Sequence, residues 1–284
     1  MKKKIIIICS IAFALLIMFL LYCRYVGTKG LSVKEYLVIN NKLPNSFYGT
    51  KIIHISDIHY GRITSKKELE SISKKVNSIK PDIVVITGDI LDKDVAYNEQ
   101  DIINITTILN SIDAKYGKYI ISGNHDLVKQ KDYNKILENL NYTYLDDSYQ
   151  ILYNETTEAI MISGLSTIDN KKKITEKLLE SQNQIKSDTS KIKYNILLIH
   201  EPDYLTKFDY KDYDLILAGH SHGGQVILPI IGSLNYPKGA KKYHNEYYKL
   251  KNSDLYISSG VGTSRINFRL NNKPSINLYR LVNK

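Results

Sequence analysis

Five short apolar runs punctuate the chain: Lys51–Ser56, Ile83–Thr87, Lys118–Ser122, Asn195–Ile199 and Asp214–Ala218. They are rich in β-branched residues and continuous rather than alternating, which predicts strands buried on both faces. Between the first two the pattern changes to helical spacing. Ser65 and Glu68 form a capping-box pair, Leu69, Ile72, Val76 and Ile79 recur along one face, and Pro81 ends the segment. Strand, helix and strand in that order make a βαβ unit, so an α/β fold is expected. Further on, Tyr142–Ser163 reads as antiparallel strand material turning at Asp146-Asp147-Ser148, and Lys171–Lys193 as an exposed charged helix and loop.

The amino-terminal pattern is different. Ile5–Cys23 is an uncharged apolar run behind Lys2, Lys3 and Lys4. Spanning a bilayer takes about 20 such residues, whereas the apolar part of a signal peptide is usually about 7–15 and ends at a small-residue cleavage site, which does not follow Cys23. A retained transmembrane anchor is expected over residues 1–24, with secretion after signal cleavage as the alternative. A lipoprotein reading of Cys23 fails because bulky Tyr22 precedes it. The lysines before the run place the amino terminus inside and the rest of the chain outside the membrane. Residues 25–48, with Gly27, Gly30 and Pro44, read as a stalk and lead-in strand, and residues 49–284 as one folded domain.

Composition narrows the class without naming an activity. Hydrophobic residues are 43% and charged residues 24% of 284, which is globular usage and excludes a mostly disordered chain. The two cysteines, Cys9 and Cys23, both lie in the apolar run, so the folded part has no thiol for a disulfide or a thiolate metal site. The formal charge of +10 falls to +7 without the three leading lysines, and the excess suits an anionic surface or substrate. One candidate contact for an anionic cell-wall polymer is the Lys- and Tyr-rich stretch Tyr236–Lys251, for which a wet hairpin is the favoured reading. No nucleic-acid partner is indicated.

Chemistry enters at the strand ends. The first run delivers Asp57-Ile58-His59, the second Gly88-Asp89, the third Gly123-Asn124-His125-Asp126, the fourth His200 and the fifth Gly219-His220-Ser221-His222. Ligands of an open α/β sheet bind beyond the carboxyl ends of its strands, so five strands aim carboxylates, imidazoles and an amide at one place. Two divalent ions about 3.5–4 Å apart need a shared carboxylate and ligands that leave positions open, and Asp89 is the natural bridge. Four imidazoles among seven candidate ligands favour manganese, iron or zinc over magnesium or calcium. Any one of these motifs alone is weak; the ordered set is specific. His54, inside the first strand, reads as a core histidine, and His244 as an exposed one.

The ordered motifs resemble those of the calcineurin-like metallophosphoesterase superfamily from about Lys51 onward. Gly219-His220-Ser221-His222-Gly223-Gly224-Gln225, then Leu228-Pro229 and Ser259-Gly260-Val261-Gly262-Thr263-Ser264, are similar to its YkuE-like branch of bacterial membrane- or wall-associated phosphodiesterases. The resemblance implies a four-layer αββα sandwich of two mixed sheets. It implies one ion on Asp57, His59, Asp89 and His222 and a second on Asp89, Asn124, His200 and His220. Hydrolysis of a phosphoester, most naturally a diester, by a hydroxide shared between the ions is then expected, with a phosphomonoesterase or nuclease, or mainly a wall-binding protein, as alternatives. His125, which the family pattern leaves off the metals, is the expected general acid. Asp126 is expected either to orient it or to cap the loop. Arg62 is a candidate for holding substrate phosphate, with a surface salt link as the other reading. Ser258-Ser259 stand where that branch often carries an Arg.

Overall fold

A computed structural model describes residues 2–167, 192–207, 209–233 and 235–283. The strands are β1 (Ser32–Ile39), β2 (Lys51–Ile55), β3 (Ile83–Thr87), β4 (Gly117–Ile121), β5 (Thr143–Tyr144), β6 (Ser148–Tyr153), β7 (Ala159–Gly164), β8 (Ile192–Ile199), β9 (Leu215–Ala218), β10 (Ile227–Leu228), β11 (Gly232–Ser233), β12 (Tyr247–Lys249), β13 (Asp254–Ile257) and β14 (Ser275–Val282). They form two mixed six-stranded sheets, β1-β14-β2-β3-β4-β5 and β12-β13-β9-β8-β7-β6, and a small hairpin of β10 and β11. Most pairings are parallel; the antiparallel ones are β14 with β2 in the first sheet and, at the two edges of the second, β12 with β13 and β6 with β7.

Strand alternation explains why the runs are continuously apolar. Ile53 and Ile55 of β2 face a core shared with the helices α2 (Lys66–Ile79), α3 (Glu99–Asn110) and, past the short α4 (Asn124–Val128), α5 (Gln130–Asn139), whereas Ile52 faces the other sheet. In β8, Ile196 and Leu198 meet the first sheet while Leu197 and Ile199 turn outward to a third cluster. Side chains of a strand point alternately to its two faces, so burial on both leaves no polar position. Helix α2 begins as expected: Ser65 and Glu68 cap it reciprocally, and Lys80, in a left-handed conformation before Pro81, closes it.

One expectation needs revision. The Asp146-Asp147-Ser148 turn does not join two antiparallel strands; β5 runs parallel to β4 in the first sheet, and the chain then crosses to the second. Asp146 accepts the Ser122 N–H at 2.8 Å and Asp147 accepts from the Ser166 hydroxyl at 2.8 Å, so each carboxylate ties down a different sheet. The antiparallel partners are β6 and β7, turning at residues 154–158. The charged segment expected over Lys171–Lys193 lies outside the described residues except for Ile192 and Lys193, which open β8. Within the segment expected as stalk and lead-in, β1 pairs parallel with β14 along all eight residues.

The helix α1 (Lys2–Leu21), continued to Val26, is long and apolar enough to cross a membrane, and its side chains are exposed along its length. Its far end is built into the body. Cys23 is buried, and its carbonyl accepts the Arg269 N–H at 3.1 Å.

Candidate dinuclear metal centre

Every expected ligand lies at a strand's carboxyl end, and the two sheets bring them to one place. Asp57, His59, Asp89 and Asn124 follow β2, β3 and β4 of the first sheet; His200, His220 and His222 follow β8 and β9 of the second. Asp57, His59 and His222 form one buried group of ligand atoms close enough to share an ion, and Asp89, His200 and His220 another. His59 Nε2 lies 3.2 Å from His222 Nε2, and His222 Nε2 lies 3.4 Å from Asp57 Oδ1. In the second group His200 Nε2 lies 3.2 Å from both His220 Nδ1 and Asn124 Oδ1. Asp89 Oδ2 stands between the groups, 3.6 Å from His59 Nε2 and 3.3 Å from His200 Nε2.

The donor set fits divalent cations. His200 Nδ1 donates to the Thr87 carbonyl at 2.7 Å and His220 Nε2 to the Lys238 carbonyl at 2.9 Å, which leaves the other nitrogen of each ring as a lone pair aimed inward. Among the described residues, the ion-pair contacts of Asp57 and Asp89 are to histidines alone. Burial pushes the Asp89 carboxyl up, but His200 and His59 outweigh it and hold it well below the usual carboxylate range. Burial likewise lowers His200, and Asp89 overrides that to raise it to about 10, so without metal the two act as a buried ion pair. For His222 burial wins over Asp57 and pushes the ring down to about 3, a neutral ligand.

The local backbone is strained where the ligands sit. Asp57, His59, Asp89, His220 and His222 all have φ between 45° and 66°. Such left-handed residues cost on the order of 1–3 kcal/mol each and persist where the surroundings over-determine them. Close packing of the loops supplies that constraint: a Cβ on Gly88 would lie 2.4 Å from Gly123 N, and one on Gly123 would lie 2.2 Å from Asp89 Oδ1. Only glycine at both positions lets the β3 and β4 loops touch.

The expected proton-transfer residues are placed differently from one another. His125 Nδ1 accepts the Lys93 N–H at 3.1 Å, so a neutral ring carries its proton on Nε2. Burial outweighs Asp89 and pushes the ring down to about 4. Asp126 instead accepts the N–H groups of Asp89 at 2.7 Å, Leu91 at 2.9 Å and Gly123 at 3.0 Å, the geometry of a loop cap. Burial and the neighbouring Asp89 push it up to about 7. Arg62 directs its guanidinium at Asp92 (3.0 Å), Asp94 (3.3 Å), Asn267 (3.2 Å) and the Arg265 carbonyl. His54 is a core histidine, held by Thr87 Oγ1 at 2.7 Å and Tyr279 Oη at 3.3 Å. His244 is half-buried and stacked on Tyr236. The Tyr236–Lys251 stretch is anchored where Asp203 accepts the N–H groups of Lys241, Lys242 and Tyr243.

Two further residues complete the site. Asp92 lies three residues past Asp89 with Oδ2 3.2 Å from His59 Nδ1, though out of hydrogen-bond alignment, and 3.8 Å from His125 Nδ1. Its place in the β3 loop was a readable signal. Arg269 is fully buried, and its Nη2 donates to the carbonyls of Ser259 at 2.7 Å, Gly260 at 3.0 Å and Gly262 at 2.6 Å. That loop packs on Asp57: a Cβ on Gly260 would lie 2.8 Å from the Asp57 Cβ. Nothing in the local sequence marks Arg269 for this part.

A profile of calcineurin-like phosphoesterases matches residues 50–224. The chain is 29% identical over 265 residues to the metallophosphoesterase YkuE of Bacillus subtilis, which covers 92% of this chain and 88% of that one. It is 27% identical over 258 residues to the UDP-2,3-diacylglucosamine pyrophosphatase LpxG of Chlamydia trachomatis, covering 76% of each. Among solved structures, GAP50, the anchor in the inner membrane complex of Plasmodium, superposes with a TM-score of 0.52 at 13% identity over 82% of this chain and 81% of that one, a likeness of fold alone.

Proposed function

The chain belongs to the calcineurin-like phosphoesterase family, and we propose that it hydrolyses phosphodiesters at the outer face of a membrane. Asp57, His59, Asp89 and His222 would hold one divalent ion, and Asp89, Asn124, His200 and His220 the other. The observation that carries this reading is Asp89 Oδ2, within 3.6 Å of a ring nitrogen in each ligand group. When bound, the ions lower the pKa of water as nucleophile and offset charge on the attacked phosphate.

The chain's own residues do the rest. The water oxygen ends on phosphorus, the phosphorus–oxygen bond to the leaving group breaks, and the departing oxygen takes a proton. His125 would direct its Nε2–H at that oxygen as a hydrogen-bond donor, its tautomer set by the Lys93 N–H, and would hand over a proton only from its imidazolium form. Asp126 acts on backbone rather than on the His125 ring, and Arg62 acts through Asp92 rather than on substrate. The anchor reading is supported by the packing of the helix end against Arg269, since a leader destined for removal has no need to be built into the body. The three lysines before the apolar run support an outside location.

The test is a substrate panel with the full-length, manganese-loaded protein. Turnover of bis(p-nitrophenyl) phosphate well above that of p-nitrophenyl phosphate is the expected outcome. Preference for the monoester would replace the diester reading with a phosphomonoesterase on the same site. Protection of the body from external protease in intact, wall-stripped cells would reverse the orientation.

A further inference from the structure

We propose that the substrate is a membrane lipid phosphoester, presented to the site from the bilayer in which the amino-terminal helix sits. The inference rests on the phosphoesterase reading above. A cavity of about 650 Å³ lies over the ligand residues, with Asp89, His125, His220 and His222 in its lining. Phe19, Leu20 and Cys23 of the apolar segment form part of its wall, together with Leu228, Ile266 and Phe268 from the body.

That wall is a fixed part of the fold. A Cβ on Gly27 would lie 1.8 Å from the Arg269 carbonyl oxygen, so the segment after the helix runs against this loop too closely for any side chain. Ile5–Cys23 is about the length that crosses the hydrocarbon core, which sets Phe19 and Leu20 of its last turn near the depth where acyl chains begin. The cavity therefore joins that depth to the metal-ligand residues. Beside it, the β10–β11 hairpin ends in Ile230 and Ile231, 107% and 72% exposed. An apolar tip of this kind is unfavourable in water and favourable in the interfacial layer.

Charge supplies the other half of the match. Lys93, Lys238 and Arg265 also line the cavity, suited to phosphate oxygens at headgroup level. A soluble nucleotide or sugar phosphate would meet these cations and leave the hydrocarbon wall idle. An aliphatic chain carrying a phosphodiester engages both.

The experiment compares methyl p-nitrophenyl phosphate with hexadecyl p-nitrophenyl phosphate, using the full-length, manganese-loaded protein in maltoside-detergent micelles. Scissile bond and leaving group are the same; water adds to phosphorus and nitrophenol departs, leaving the alkyl phosphate. We expect kcat/KM for the hexadecyl ester to be higher by at least about 100-fold, which burial of about four methylenes supplies. Ile266→Asp and Leu228→Asp should each lower that ratio about tenfold or more; Ile266 is 60% exposed, so its substitution leaves the core intact. Turnover of both esters with a ratio near one would overturn the inference and leave the phosphoesterase reading standing. A high ratio unchanged in both variants would assign the preference to co-concentration in the micelle and overturn it too. No turnover of either ester by protein holding two ions would remove the phosphoesterase reading, and the inference with it.

Discussion

The strand bodies and the rim at their carboxyl ends obey opposite rules. In the central bodies the β2–β3 and β8–β9 ladders run without a register shift, side chains are mostly apolar on both faces, and the core residues of β2, β3, β8 and β9 are inaccessible to water. At the rim, within four residues of the strand ends, five of the seven expected ligands take left-handed backbone and two carboxylates are buried. The bodies hold the rim in a conformation that it would not keep alone. The sheets also contribute unequally: the first supplies both carboxylates, the amide and one imidazole, and the second imidazoles only. Asp89 with His200, and Asp57 with His222, are contacts between the sheets. The site is thus a joint between sheets, and rim substitutions should alter metal binding while body substitutions alter stability.

The largest expected effect is at Asp89, whose carboxylate faces both ligand groups. Asp89→Ala should release most of the metal and abolish turnover, and the metal-free variant should melt earlier than metal-free wild type, because His200 loses the carboxylate with which it forms a buried pair. Metal analysis and calorimetry read the two halves. An Asp89→Ala protein that keeps both ions would end the bridging assignment.

Next comes His125, which lines the cavity and shares with His59 and Asp92 a third group of possible ligand atoms. His125→Ala should keep nearly full metal content and lose about 10²–10⁴-fold in rate on a diester with a poor leaving group. With nitrophenolate leaving, which needs less protonation, the deficit should shrink. An equal deficit for both leaving groups would discard the proton-donor role.

Asp126→Asn should have a smaller effect, because Asp126 works through the backbone of the ligand loops. Its carboxylate accepts three N–H groups, and an amide would oppose a donor to one of them. Supporting residues of this kind typically change metal affinity by about 10–100-fold. Titration of metal into the stripped variant measures it, and wild-type affinity would show that the cap does not hold Asp89.

How much of this was legible in the sequence follows from the same contrast. Continuous apolar runs announce doubly buried strands, and polar residues placed just after them announce the rim, so the gathering of the seven candidate ligands there and the α2 cap could be read locally. Pairing between distant segments could not. β1 and β14 are joined along eight residues though far apart in the chain, and nothing local in either specifies the partner. The crossing at Asp146 and Asp147 looked like a hairpin turn because turn chemistry is the same whether the chain reverses within a sheet or leaves it. Arg62 was open between substrate and salt link because a sequence does not show that Asp92 stands beside it. Arg269 was invisible for a similar reason: its partners are backbone carbonyls, which any sequence has.

The smallest effect should come from the body side of the contrast. Ser65 caps α2, which packs on the outer face of the first sheet, and its hydroxyl accepts the Glu68 N–H while Glu68 reaches back to the Ser65 N–H. Replacing a cap of this type by Ala costs about 1 kcal/mol, since one helix-end donor loses its partner. Burial raises Glu68, but Lys29 and Ser65 outweigh it and bring the carboxyl down to about 2, so the box is ionised across the ordinary range and its loss should not depend on pH near neutrality. The α2 face enters the core through Leu69, Ile72 and Val76, which the substitution leaves in place. Ser65→Ala should therefore lower the melting temperature of metal-free and metal-loaded protein by the same few degrees, with metal content and turnover unchanged. A Ser65→Ala protein that melts normally but loses metal would break the division between body and rim, because a helix cap on the far side of the sheet would then be acting on the strained loops.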